Sequence, residues 1–200
     1  MKKLILSAVA ICAFTFANAQ DKKESTGVGF GEGDVFISGG FGISSSNNKN
    51  TLTKESGFAI QPKIGFFVSE NIALGARIGF GTDKTKVNGA TTTDLSALTA
   101  GVFGRYNFSP KSQFSVFTEL GFDYVTLENK IAPSQKTNGF GIGLSLGLNY
   151  FVSSKFALEA SYAGLNYGTS KSDTPGSQNV SQFSLESNLN AVSIGLLYKF

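Results

Sequence analysis

Along most of this chain large apolar residues occupy every second position, and the alternation persists for ten residues or more at a stretch. A period of two places successive side chains on opposite faces of an extended strand, so the chain is built from two-faced β-strands. The clearest stretch sets Phe140, Ile142, Leu144, Leu146, Leu148, Tyr150 and Val152 against Gly141, Gly143, Ser145, Gly147, Asn149 and Phe151. Seven more begin near Val35, Phe58, Ile72, Leu98, Phe114, Phe156 and Val192. Their length is the constraint. A tilted strand needs roughly 9 to 11 residues to cross a bilayer, whereas a globular strand averages about 5 or 6.

The connections alternate too. Ser69-Glu70-Asn71, Ser109-Pro110-Lys111-Ser112 and Ser153-Ser154-Lys155 are tight turns, separated by long polar links around Ser45 to Ser56, Thr82 to Asp94, Glu128 to Asn138 and Thr169 to Gln182. Eight strands joined in this way describe an all-β fold: an eight-stranded antiparallel up-and-down transmembrane β-barrel with short periplasmic turns and long extracellular loops. A membrane barrel turns its large apolar residues outward, a soluble barrel turns them inward. The small face decides between them. It carries rows such as Gly75/Gly79/Gly81 and Gly141/Gly143/Gly147 with scattered charge, which suits a narrow lumen better than a solvated surface. Aromatic residues near the short turns and the C-terminus (Phe66, Phe67, Tyr106, Phe108, Phe114, Tyr150, Phe151, Phe156, Tyr198, Phe200) are read as one interfacial girdle, with Phe58, Phe80, Tyr124 and Phe140 in the other.

The chain opens with Met1-Lys2-Lys3, an apolar stretch from Leu4 to Phe16, and small residues at Ala17 and Ala19. This is the pattern of a secretory signal cleaved before Gln20, and the apolar stretch is too short to span a bilayer. The expected organisation is a signal peptide over residues 1–19, an exposed N-terminal lead over 20–33 and a barrel over 34–200. Cys12 lies within the signal, so no disulfide is available to the exported chain.

The last eight residues, Ser193 to Phe200, read polar, any, Gly, any, any, aromatic, any, terminal aromatic. This resembles the C-terminal assembly signal of bacterial outer-membrane barrels, with Ser193, Gly195, Tyr198 and Phe200 in its defining places. From about Asp34 to Phe200 the pattern resembles small eight-stranded proteins of the OmpX/OmpA type and the outer membrane β-barrel proteins common in Bacteroidota. The resemblance implies residence in the bacterial outer membrane, contact with its lipid, and the barrel-assembly machinery as a partner during biogenesis.

Lys63, Arg77, Arg105, Glu119 and Glu159 share the inward parity. Reflection about the first turn sets Lys63 opposite Arg77, and reflection about the second makes Arg105 and Glu119 diagonal neighbours. They form either a charged constriction in a small pore or a neutralising network that fills the lumen. Eight strands leave an interior just wide enough for side chains, which favours the filled lumen.

The sequence contains no His and one Cys. Ser-His-Asp and Cys-His catalysis are therefore excluded, and neither a metal site nor a cofactor is expected. Glu119, Asp123 and Glu159 are the remaining candidates for hydrolytic carboxylates, but their parity places them inside the barrel, where substrate access is poor. Gly27 to Gly33 lacks the spacing of a phosphate loop and reads as a lead into the first strand. With 17 basic and 14 acidic residues, two of the basic ones in the signal, nothing points to nucleic acid.

The long links carry Lys49, Lys54, Lys84, Lys86, Lys130, Lys136 and Lys171, which suit either plain solvation or the phosphates of lipopolysaccharide. The leading expectation is a non-enzymatic, monomeric outer-membrane barrel, structural or adhesive, acting through its loops. A small-solute or ion channel through the charged lumen is the alternative, and a soluble periplasmic lipid-binding barrel the second.

Overall fold

The computed structural model describes residues 27–131, 133–185 and 192–200. Ala17 and Ala19, the expected cleavage positions, lie outside them. Nine strand segments follow in order: β1 (Val35–Asn48), β2 (Thr53–Phe67), β3 (Ile72–Val87), β4 (Ala90–Asn107), β5 (Phe114–Asn129), β6 (Gln135–Phe151), β7 (Phe156–Ser172), β8 (Val180–Leu185) and β9 (Val192–Lys199). Each of β1 to β7 pairs antiparallel with its successor. β8 and β9 occupy successive stretches of one edge of β7, so together they fill the eighth position round the wall. β9 then pairs with β1, Phe36–Gly40 against Lys199–Gly195, and the sheet closes on itself. Closure satisfies the strand edges that a bilayer would otherwise leave without hydrogen bonds.

The apolar face points outward. Ile37, Phe41, Ile43, Ile60, Leu74, Ile78, Leu98, Val102, Leu120, Leu146, Ile194 and Leu196 are all exposed. The side chains buried inside include Phe36, Phe67, Arg105, Phe117, Asn149 and Phe151. That inversion rules out the soluble lipid-binding barrel. No helix among the described residues is long and apolar enough to cross a membrane.

Two expectations change. The long links are largely strand: the β1–β2 ladder runs to Asn48↔Thr53, β3–β4 to Val87↔Ala90 and β5–β6 to Asn129↔Gln135. At about 3.3 Å per residue, strands of 14 to 18 residues are longer than an apolar band of about 25 Å requires, even when tilted. Their outer ends stand clear of the membrane as hairpins, one closed by Asn88-Gly89 with φ of 53° and 82°, the left-handed pair of a type I′ turn. The second change concerns the girdle. Phe67 and Phe151 are fully buried in the lumen, while Tyr106, Phe108, Phe114, Tyr150, Phe156 and Phe200 face outward as expected. The two buried rings have the inward parity of Lys63 and Asn149, and parity outweighs nearness to a turn.

Candidate functional site

Five strands deliver charge to the middle of the lumen. Lys63 comes from β2, Arg77 from β3, Arg105 from β4, Glu119 and Asp123 from β5, and Glu159 from β7. Arg105 is the hub. Its Nε and Nη2 donate to Glu119 Oε2 at 2.9 and 2.7 Å, and its Nη1 donates to Glu159 Oε2 at 2.8 Å. Lys63 Nζ meets Glu159 Oε1 at 2.7 Å and Glu119 Oε2 at 3.5 Å. Arg77 reaches Glu119 Oε1 through Nη1 at 3.0 Å and grips Asp123 in a fork, Nε to Oδ1 at 2.8 Å and Nη2 to Oδ2 at 2.6 Å. Three cations thus face three carboxylates, and the cluster is neutral.

All five charges expected in the lumen are brought together, with one change of register. Arg105 and Glu119 are directly opposite across the β4–β5 ladder, not diagonal. Lys63 does stand opposite Arg77. Their repulsion is relieved because each turns to carboxylates from other strands, across the lumen. Asp123 joins the network as a sixth member that the parity argument had placed inside but assigned no partner.

Rings flank the hub. The Arg105 guanidinium lies 3.8 Å from the centroid of Phe117 and 5.1 Å from that of Phe36, so its faces are covered while its edges are bonded. The glycine rows make room for these groups. A Cβ on Gly65 would overlap the Phe36 ring, one on Gly75 the Phe103 ring, one on Gly147 the Phe117 ring, and one on Gly121 the Arg77 guanidinium. Phe36, Phe103, Phe117 and Arg77 each lie over a glycine of another strand, and the small face is one half of a packed interior.

The N-terminal lead completes the closure. Expected to be exposed, it is so at Gly27, Val28 and Glu32, but it inserts Phe30 into the barrel, 2% exposed. The Phe30 ring stacks on Phe67 at 4.5 Å and meets Phe151 edge-on at 4.9 Å. Phe30 N donates to Pro110 O at 2.7 Å, Gly33 N to Phe67 O at 2.9 Å, and Lys199 Nζ to Gly29 O at 2.6 Å. Gly29 has φ of 97°, and a Cβ there would strike the Pro110 carbonyl. The signal for this plug was a lone ring between Gly29 and Gly31, a bulky apolar residue that a solvated lead has no reason to carry.

Toward the long hairpins the network floors a polar cavity of about 230 Å³, bounded among others by Gln61, Ser145, Ser161, Asn166 and Ser193. At the opposite end, Tyr198 and Phe200 of the terminal motif pack ring against ring at 5.0 Å, and Phe200 N donates to Val35 O at 3.0 Å. Gly195 pairs with Gly40 and Ser193 with Ser161. Among the described residues no group of His, Cys, Asp and Glu could hold a metal ion.

The sequence matches the outer membrane protein beta-barrel domain family over residues 6–200. The chain belongs to this family. It is accordingly a protein of the bacterial outer membrane. Solved structures agree on the fold. The outer membrane protein OprG from Pseudomonas aeruginosa aligns with a TM-score of 0.55 at 18% identity, over 86% of this chain and 98% of OprG. The N-terminal beta-barrel domain of OprF from the same organism aligns with a TM-score of 0.50 at 15% identity, over 86% of this chain and 100% of that one. No curated protein sequence matches the chain. Family membership fixes the orientation used below, with short turns and the C-terminus on the periplasmic side and long hairpins outside.

Proposed function

We propose that this family member is a non-enzymatic, closed-lumen barrel that acts as a structural or adhesive element through its extracellular hairpins. The observation that carries the reading is the state of Arg105. Its side chain has no exposed surface, and both of its carboxylate partners are themselves at most 7% exposed. Opening a path would separate buried opposite charges and unseat Phe30, a cost of several kcal/mol with nothing on the lumen wall to offset it. The carboxylates are likewise committed to cations, which argues against acid–base chemistry at Glu119, Asp123 or Glu159.

The channel alternative draws on one feature, the polar cavity on the extracellular side, but that cavity ends on the ion network. Purified wild-type protein in a planar lipid bilayer is expected to give no conductance steps. Steady steps whose size changes in Arg77→Ala would overturn the closed-lumen reading and establish a pore.

A further inference from the structure

The lysines outside the membrane differ in the company they keep. Register continues without a break along β1–β2 and β2–β3, so face can be read to the hairpin tips. On the outer wall, the row Phe41, Ile60, Phe80 and Leu98 is followed upward by Ile43, Phe58, Thr82 and Ser96, where apolar character ends. Next come Ser45, Ser56, Lys84 and Asp94, then Asn47, Lys54 and Lys86.

Lys84 is neutralised by Asp94 at 2.9 Å. Lys54 and Lys86 stand directly opposite each other, both exposed, and neither has a carboxylate at ion-pair distance among the described residues. Like charges in a direct cross-strand pair are destabilising. The far wall avoids that arrangement: Lys136 stands opposite Glu128. A hollow of about 300 Å³ is lined by Lys54, Lys84, Lys86, Asn47 and Ser56, with Glu55 the one carboxylate on its wall.

We infer that Lys54 and Lys86, with Asn47 and Ser56 beside them, form a binding site for the phosphate of an acylated outer-leaflet lipid. The site faces sideways from the barrel, two rows above the last apolar row. A ligand whose charge sits there has its chains against Phe58, Ile60 and Phe80, and a phosphate with no acyl chains gains nothing from that wall. The two ammonium groups supply donors to one anion, which turns their mutual repulsion into shared attraction.

The test uses full-length protein in phosphatidylcholine vesicles, with or without lipid A carrying its phosphates, and reads the temperature at which the heat-dependent gel shift occurs. Phosphorylated lipid A is expected to raise that temperature for the wild type and for Lys136→Gln, and to be retained about tenfold less by the Lys54→Gln/Lys86→Gln variant. Native mass spectrometry measures the retention directly, so a variant that folds poorly is recognised by its lack of a folded barrel peak, and single Lys54→Gln then replaces it. An equal shift with dephosphorylated lipid A, an equal shift with inorganic phosphate alone, or full retention by the double variant would each overturn the site. Because the readout is lipid retention and not conductance, its failure is separate from any failure of the closed-lumen reading.

Discussion

At the scale of single residues, the lumen is held by pairs in which each member makes sense only with the other. Arg105 is tolerable in a buried place because Glu119 and Glu159 neutralise it and accept its edge donors, while Phe117 covers its face. Arg105→Leu puts a smaller apolar side chain in place of the charge, leaving three carboxylates to share Lys63 and Arg77. The expected cost is about 3–5 kcal/mol, read as an earlier midpoint in urea unfolding of the vesicle-embedded protein. Parity alone showed that these residues face inward. It could not show that Arg105 and Glu119 are opposite, because sliding a hairpin by two residues leaves every side chain on its own face. Only the turn geometry between Asn107 and Phe114 fixes that choice, and Ser109-Pro110-Lys111-Ser112 does not announce it.

At the scale of elements, the strands were legible where one face meets lipid and illegible where both faces meet water. Between Thr82 and Asp94 no alternation marks a strand, yet the β3–β4 ladder continues to Val87↔Ala90 because backbone pairing does not need an apolar face to propagate. The single local cue was Asn88-Gly89, a strong hairpin signal that was absorbed into a long polar link. Since Gly89 adopts φ of 82°, Gly89→Val strains the turn by about 1–2 kcal/mol. The loss should stay in the hairpin. Amide exchange is expected to quicken from Thr82 to Asp94 while protection from Ile72 to Gly79 is unchanged, and loss of protection throughout β3 would show that the extension supports the barrel beneath it.

At the scale of the whole molecule, the ion network and the Phe30 plug both stand in the lumen, and on the closed-lumen reading each is a barrier. The family, the membrane and the barrel could all be read from periodicity and the terminal motif, but the plug had only the lone ring of Phe30 to mark it, since it is a tertiary contact of a segment with no periodicity of its own. Two barriers in series predict that removing one is silent. Deleting residues 27–33 from the exported chain should leave planar bilayers without conductance, whereas the same deletion combined with Arg105→Ala and Glu159→Ala should produce steps. Steps from the deletion alone would mean that the network leaks and that Phe30 is the principal seal.

The bond from Lys199 to the Gly29 carbonyl ties nearly the last residue of the chain to the first described segment. The lead's other anchors, Pro110 and Phe67, belong to earlier parts of the chain, whereas this one is absent until β9 has reached β1. That bond is therefore a record of completed closure: a molecule that has formed it is one whose final strand has already found the first.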